Sequence, residues 1–187
     1  MPTIRRANRT DAAAVAALVN SAYRGNSSRV GWTTEADLLG GQRTDPDAIL
    51  ELLASATETL LLAEGDGGHL LGSVVLEQRP GDVAYLGMLT VRPDVQAQGL
   101  GKALLQWGEE YARNEWGATS IEMTVIRHRK ELIAWYERRG YVETGERRPF
   151  PAGDPRFGLP RVDDLEFAVL RKELARRTVD RRTVDPG

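Results

Sequence analysis

A short glycine-containing turn constrains this chain more than any other feature, because it lies between an apolar strand and a long amphipathic helix. The predicted strand Val83–Val91 ends at Arg92-Pro93-Asp94, and the turn Gln96-Ala97-Gln98-Gly99-Leu100-Gly101-Lys102 follows. Beyond Gly99, apolar residues recur at one-face helical spacing. Glycines at the start of a helix allow backbone N–H groups to converge, and the helix dipole favours an anion there. The segment therefore predicts a phosphate site, to which Lys102 could add charge.

Two known phosphate-binding motifs do not fit this turn. A Walker loop needs a longer interval before its Gly-Lys pair and a following Ser or Thr, whereas Ala103 follows Lys102. A dinucleotide fingerprint needs a small residue where this chain has Leu104, and it lies directly after the first strand of a βαβ unit. A purely structural interpretation, in which Gly99 and Gly101 only form a tight turn, stays open at this point.

The rest of the chain alternates predicted helices and strands. The helices are one capped by Thr10 or Asp11 and ending near Gly25, a short one capped by Thr33 or Thr34, one opening at Asp45-Pro46, and one over residues 131–139. The turn Gly65-Asp66-Gly67-Gly68 predicts a hairpin, and further strands are predicted at 83–91, 120–126, 141–144 and 164–170. A Pro- and Gly-rich loop, residues 147–161, separates the last two strands.

Length and composition place these elements in one domain. The chain has 187 residues, of which 41% are hydrophobic, and this is enough for one core. We predict a domain over residues 1–174 and a basic, disordered tail over 175–187. A formal net charge of -2 gives no electrostatic reason to expect nucleic acid or a membrane as partner, although nucleic-acid binding through the tail is an alternative.

The residues that are scarce in this chain exclude further classes. There is no Cys and there are two His residues, so a disulfide framework is excluded and a metal site is not expected. The N-terminus lacks the apolar stretch of a signal peptide, and no run approaches membrane-spanning length. We therefore expect a cytoplasmic protein.

Two motifs resemble those of the GNAT-family N-acetyltransferases. The segment Leu89-Thr90-Val91-Arg92-Pro93 followed by Gln96-x-x-Gly99-x-Gly101 is similar to the acyl-CoA pyrophosphate loop of that family. The run Trp135-Tyr136-Glu137-Arg138-Arg139-Gly140-Tyr141 is similar to the second hallmark, a helix that follows a strand. The order and separation of the two motifs also match the family. The resemblance covers residues 3–174 in element order, and its specific motifs lie within residues 89–141.

The resemblance implies an α+β fold, with a mixed, mostly antiparallel sheet of six to seven strands flanked by four to five helices. The fourth and fifth strands, Val83–Val91 and Ser120–Ile126, would splay apart, and acetyl-CoA or another short acyl-CoA would satisfy the backbone groups left unpaired. The implied cofactor-binding residues are Leu89, Thr90, Val91, Gln96, Gln98, Gly99, Leu100, Gly101, Lys102 and Arg129. Members of the family often have Asn at the position of Arg129, which could contact the cofactor or face solvent.

The family resemblance also implies a catalytic role for Tyr136. Its phenol would protonate the departing thiolate, while a backbone N–H near Met88-Leu89 stabilises the oxyanion. Core packing is the alternative role for Tyr136. The fourth strand carries no carboxylate, so the base would be a water chain that ends at Glu35, Tyr85 or Glu122.

Acceptor recognition is expected from segments 23–37 and 147–161, which border the acceptor side of the slot in the resembling family. The candidate substrate-binding residues are Trp32, Glu35, Tyr85 and Asp154, whose types could hold a cationic amine. Arginines in the same segments would equally suit an acceptor that bears a carboxylate, so the acceptor class stays open.

The combined interpretation is an N-acetyltransferase that acts on a primary amine of a small molecule. Acetylation of a protein N-terminus or lysine is one alternative, and a catalytically silent acyl-CoA-binding module is another. Dimers are common in the resembling family, so a homodimer is an expectation as well.

Overall fold

The computed structural model describes residues 2–175, which form an α+β fold around a seven-stranded sheet. The strands in chain order are β1 (Thr3–Arg6), β2 (Glu58–Glu64), β3 (Leu70–Arg79), β4 (Val83–Val91), β5 (Ser120–Ile126), β6 (Val142–Pro149) and β7 (Glu166–Glu173). Their spatial order is β1-β2-β3-β4-β5-β7-β6. Every neighbouring pair is antiparallel except β4 and β5. The predicted mixed, mostly antiparallel sheet is confirmed.

Helices cover both faces of the sheet, because successive strand residues point to opposite sides. The α-helices of the described chain are α1 (Ala12–Tyr23), α2 (Gly25–Ser28), α3 (Pro46–Ala54), α4 (Leu100–Trp116) and α5 (Lys130–Glu137). Leu60 and Leu62 of β2 pack in one core with residues of α1 and α3, whereas Leu61 and Ala63 belong to the core formed with α4 and α5. Each face of the sheet thus buries its own apolar layer.

The two central strands β4 and β5 pair with each other only at their start. Their parallel register joins Val83 to Ser120, Ala84 to Ile121 and Tyr85 to Glu122. Beyond these positions β4 remains paired with β3, and β5 remains paired with β7. The strands therefore part after Tyr85 and leave a wedge-shaped gap in the middle of the sheet. The predicted splay is confirmed.

The prediction of a short helix at Thr33 or Thr34 is wrong. Residues 36–38 form a turn, and the short helix α2 lies upstream of it. The Thr34 hydroxyl does accept the N–H of Ala36 over 3.1 Å, as a turn cap does. Glu35, just before this turn, forms buried ion pairs that a helix beginning at Thr33 or Thr34 would have to accommodate; these pairs are described with the site below.

Of the two predicted caps of the first long helix, Asp11 does occupy the N-cap position of α1, but its side chain makes no capping hydrogen bond there. A 3-10 turn, Arg9–Asp11, precedes α1, and Asn8 caps that turn. The Asp11 side chain instead accepts the backbone N–H of Asn8 over 2.7 Å and the Arg5 guanidinium over 2.8 Å. The helix therefore begins two residues after Thr10, at Ala12.

The predicted loop 147–161 is tied to the segment that follows α2. Residues Leu159 and Pro160 pair with Gly40 and Leu39 in a separate two-stranded sheet. The predicted basic tail lies outside the described residues from residue 176 onward. No helix within residues 2–175 is both long and apolar enough to cross a membrane.

Candidate active site

The gap between β4 and β5 contains the first of two adjoining cavities, which we name the cofactor cavity. Its volume is about 250 Å³, and its walls come from the end of β4, the turn before α4 and one side of α5. The predicted cofactor residues that line it are Leu89, Thr90, Val91, Gln96, Gly99, Gly101, Lys102 and Arg129. The chain segments that carry the two sequence motifs therefore meet around one cavity.

The N-terminus of α4 presents backbone amides to this cavity. Gly99 has a left-handed conformation, with φ of 85°, and α4 follows it directly. Within residues 2–175, the N–H groups of Leu100, Gly101 and Lys102 have no acceptor, and no acidic side chain lies in the first turn. The first N–H groups of a helix lack internal acceptors, and together with the helix dipole they attract an anion. The head of α4 is therefore suited to a pyrophosphate.

The side chains of three predicted cofactor residues are hydrogen-bonded within the chain, buried in the core or outside the cavity lining. The Gln96 amide group donates to the Val91 carbonyl over 3.1 Å, and its oxygen accepts the N–H of Trp32 over 3.0 Å. Leu100 is buried in the core, and Gln98 is exposed outside the cavity lining. Gln96 thus braces the turn against the neighbouring loop, and Leu100 can offer only its backbone.

A bulge in β4 lies on the wall of the cofactor cavity. The register of β4 with β3 shifts between Ser73 and Val75, and Met88 has φ of 44°. Such a bulge turns peptide groups out of the hydrogen-bonded ladder. Tyr23 of α1 donates its hydroxyl to the Leu89 carbonyl over 2.8 Å. The bulge thus directs backbone polar groups towards the gap, and Tyr23 holds one of them in place.

Tyr136 lies where the cofactor cavity meets a second, larger cavity, and its side chain lines both. Its ring packs against Trp135 and Tyr141 at centroid distances of 5.0 and 5.7 Å. Among residues 2–175 the Tyr136 hydroxyl has no hydrogen-bond partner. Burial raises the pKa of the phenol, because the anion would lose its solvation. The hydroxyl therefore stays protonated and can donate to a ligand.

A buried ion cluster connects the loop after α2 to the start of α5. Glu35 accepts hydrogen bonds from Arg24 and from Arg129, the second over 3.0 Å. Arg129 also donates to the Thr33 hydroxyl over 2.6 Å. The exposed fractions of the side chains are 5% for Arg24, 9% for Glu35 and 7% for Arg129. The solvent-facing alternative for Arg129 is therefore wrong, because the residue forms a wall shared by both cavities.

The second cavity, which we name the acceptor cavity, has a volume of about 510 Å³. Tyr85 lines it, with its hydroxyl 2.7 Å from Oγ1 of Thr124 and with the Arg79 guanidinium 4.0 Å from its ring centroid. The loop after β6 borders the cavity on the other side, and the Phe157 carbonyl accepts a hydrogen bond from Arg24 over 3.1 Å. The loop is thus fastened to the buried ion cluster at the cavity edge.

Comparison with known proteins agrees with this geometry. The profile of the acetyltransferase (GNAT) family matches residues 28–141, more than half of the 187 residues. The chain belongs to the GNAT acetyltransferase family. A curated relative, mycothiol acetyltransferase from Cellulomonas flavigena, is 32% identical over 115 residues, which are 54% of this chain. That match covers 32% of the relative, so the chain aligns with about a third of its length.

Solved structures of other proteins share the GNAT fold. Ribosomal-protein-S18-alanine N-acetyltransferase from Escherichia coli superposes with a TM-score of 0.67 at 17% identity, over 96% of this chain and 98% of that one. YncA from Salmonella typhimurium, solved with its cofactor acetyl-CoA, superposes with a TM-score of 0.65 at 21% identity, over 100% and 98% of the two chains. At these identities the likeness shows the fold alone.

The GNAT fold brings three of the four predicted substrate residues to the cavities. Glu35 and Tyr85 line the acceptor cavity, whereas Trp32 lines the cofactor cavity. Asp154 lines neither of them. Its carboxylate caps a 3-10 turn and pairs with Arg156 over 2.6 Å, because Asp followed by Pro favours such a local turn. The structure therefore does not place Asp154 at the site.

Three other residues at the site were not named as candidates from the sequence, although Tyr23 begins the segment 23–37 that was expected to border the acceptor. Tyr23 lines both cavities, Arg43 stacks its guanidinium 5.7 Å from the Tyr23 ring centroid, and Glu58 lines the acceptor cavity at the start of β2. Burial raises the pKa of the Glu58 carboxyl. Tyr23 follows Val19 by one turn on the apolar face of α1, a signal that could have found it. Arg43 and Glu58 have no local signal, because tertiary pairing brings them to the cavity.

Proposed function

We propose that this protein transfers the acetyl group of acetyl-CoA to a primary amine of a small molecule, with Tyr136 as general acid. The observation that carries the proposal is the position of Tyr136. Its hydroxyl has no partner among the described residues, is kept protonated by burial and lies at the junction of the two cavities. A donor placed between a cofactor and an acceptor is what acyl transfer from a thioester requires.

The residues of the cofactor cavity fit acetyl-CoA. The amides at the head of α4, which have no acceptor among residues 2–175, suit a pyrophosphate, and Lys102 supplies a positive charge beside them. The edge of β4 from Leu89 to Val91, which faces the gap, can bind the amides of an extended arm as an added strand would. When bound, acetyl-CoA supplies the acyl group as a thioester.

Groups of the chain can assist each successive step of the acetyl transfer. The amine nitrogen forms a bond to the acyl carbon, and the N–H groups around the bulge at Met88 stabilise the charge that develops on the carbonyl oxygen. The carbon–sulfur bond then breaks, and Tyr136 donates its proton to the departing sulfur. The amine loses one proton to water, which can return a proton to the phenolate.

The structure of the acceptor side favours a small molecule over a protein chain. The loop 150–158 is held at the cavity edge by the bond from Arg24 to the Phe157 carbonyl. Its continuation pairs with Leu39–Gly40 and so bridges two segments beside the cavity. A lysine side chain or a protein N-terminus would need an open groove for the neighbouring residues. The curated relative named for mycothiol supports a small acceptor in the same sense.

The proposal is tested by incubating the full chain with acetyl-CoA and a panel of primary amines, with release of free CoA followed by a thiol reagent. We expect turnover with at least one small amine. A protein that binds CoA in calorimetry and releases no thiol with any amine or peptide is a silent binding module, and this result would contradict the proposal. Turnover with peptides alone would support the protein-acceptor alternative.

A further inference from the structure

The acceptor cavity contains more positive charge than its own residues neutralise. Arg24 and Arg129 share the carboxylate of Glu35, and Arg129 has only the distant carboxylate of Glu131, 4.0 Å away, in addition, although the side chains of both arginines are less than a tenth exposed. In each of them the Nε–H group is buried without an acceptor among residues 2–175. A buried guanidinium N–H without a partner is costly, so such a group is expected to meet an acceptor.

Arg43 adds a second cation on the same wall. Its backbone N–H donates to the Asn20 side chain over 2.6 Å, which fixes the residue against α1. Its guanidinium stacks on the Tyr23 ring at 5.7 Å, and within residues 2–175 no carboxylate pairs with it. Arg24 is the residue next to Tyr23 in the chain, and the charge of Arg43 adds to burial in lowering the pKa of Arg24. Arg43 thus contacts the Tyr23 ring, and the Arg24 guanidinium lies 3.4 Å from the Tyr23 backbone carbonyl oxygen.

The other charges on the cavity wall do not cancel this pair. Arg79 is bound by Glu77 over 3.0 Å, and Arg148 by Glu146 over 2.7 Å, so both are already neutralised. Glu58 of β2 is paired with Glu77 of β3, and Glu77 is paired with Tyr85 of β4. Glu58 therefore lies level with Tyr85, three residues before the bulge at Met88, and not beside Tyr23. The uncompensated positive charge therefore lies around Tyr23.

We propose that the acceptor amine also carries a carboxylate, as an amino acid does, and that Arg43 and Arg24 bind this carboxylate. The inference rests on the proposed function and specifies its substrate class. Tyr23 links the two parts of the site, because its ring carries Arg43 and its hydroxyl binds the Leu89 carbonyl at the bulge. A molecule that spans one tyrosine side chain can therefore place its amine at the bulge and its carboxylate on the arginines. Guanidinium groups bind carboxylates with charge-assisted hydrogen bonds.

The test compares matched acceptors in the acetyl-CoA assay. For each of several L-amino acids, we measure kcat and KM for the acid, its primary amide and the amine that lacks the carboxyl group. We expect kcat/KM to be at least about 10-fold higher for the acid, the size of one charge-assisted hydrogen bond. The intrinsic reactivity of the amine would favour the amide over the acid, because the α-amino group of the amide has a pKa of about 8 and is readily deprotonated. A preference for the acid would therefore reflect binding of its carboxylate.

The variant Arg43→Gln identifies the residue responsible. Arg43 is half-buried and has no ion pair in the described chain, so its replacement should leave the fold intact. We expect KM for the acid to rise about 10- to 100-fold, with kcat little changed and with no change for the amide. Arg9→Gln is the matched control, because Arg9 is exposed and lines neither cavity.

The outcomes separate the inference from the proposed function. Equal kcat/KM for the acid and the amide, or an equal loss for both in Arg43→Gln, would overturn the inference while acetyl transfer stands. Turnover only of amines that lack a carboxylate would also overturn the inference while acetyl transfer stands. An absence of turnover with every amine would contradict the proposed function and the inference together.

Discussion

Replacement of Tyr136 by Phe removes one oxygen atom from the junction of the two cavities and leaves the packing in place. The ring is 6% exposed and keeps its contacts with Trp135 and Tyr141. The hydroxyl has no partner among residues 2–175, so its removal breaks no hydrogen bond and leaves no buried group unsatisfied. We therefore expect the free energy of unfolding to change by less than about 1 kcal/mol, and the affinity for CoA to be retained.

The kcat of Tyr136→Phe should fall by the factor that the general acid contributes to catalysis. Such a group contributes about 10²- to 10⁴-fold, which corresponds to about 2.7–5.4 kcal/mol at 1.36 kcal/mol per tenfold. Burial raises the pKa of Tyr136, so the phenol remains a donor at and above neutral pH. The ratio of wild-type to Tyr136→Phe kcat should therefore be constant between about pH 7 and pH 9. We measure it by release of free CoA at saturating acetyl-CoA, and CoA affinity by calorimetry.

Tyr141→Phe is the matched control for this variant. Tyr141 is also buried, 5.7 Å from the Tyr136 ring, but it lines neither cavity and donates its hydroxyl to Glu109 over 3.0 Å. We expect unchanged kcat and a loss of about 1.5–3 kcal/mol in the free energy of unfolding, because a hydrogen bond to a charged group is lost. A kcat within about twofold of wild type for Tyr136→Phe, with CoA affinity intact, would refute the catalytic role.

Three further substitutions test the turn before α4 and, separately, the ion pair between Arg5 and Asp11 in the N-terminal segment. Gly99→Ala places a side chain at φ of 85°, which should lower the free energy of unfolding by about 1–2 kcal/mol and raise KM for acetyl-CoA. Gly117 lies at the other end of α4 with φ of 66°, so Gly117→Ala should lower the free energy of unfolding, measured by thermal unfolding, by as much without changing that KM. Asp11→Asn should lower the free energy of unfolding by at most about 1 kcal/mol at pH 7, because the ion pair with Arg5 is partly exposed. The Arg5 guanidinium lowers the pKa of Asp11 below 3.8, so this loss, followed by chemical denaturation, should be present above that pH and vanish as the pH falls through the lower folded value. Equal KM changes in the two glycine variants, or a loss in Asp11→Asn that is independent of pH, would contradict the respective prediction.

The cofactor half of the site could be predicted from the sequence because it is local. The end of β4, the turn at Gly99 and the start of α4 follow one another in the chain, so glycine positions and helical periodicity mark them directly. The splay of β4 from β5 came from the family resemblance, and the register of the two strands bears it out. The specific roles of the side chains, including that of Tyr136, remain predictions.

The acceptor half could not be predicted in the same way, because distant segments build it. The bond between Glu35 and Arg129 joins residues 94 positions apart, and no spacing rule marks such a pair. The same cluster explains why the helix expected at Thr33 is a turn, since burial of Glu35 between two guanidiniums outweighs a weak capping preference. Asp154 shows the reverse case, in which a local cap keeps a carboxylate away from the site.

A crystal structure of the protein with CoA tests the central claim most directly. We predict pyrophosphate oxygens about 2.7–3.2 Å from the backbone nitrogens of Leu100, Gly101 and Lys102. The arm should run along the β4 edge at Leu89–Val91, with its sulfur beside the Tyr136 hydroxyl. A CoA molecule bound elsewhere, with the gap between β4 and β5 left empty, would contradict the claim that this gap is the acetyl-CoA site.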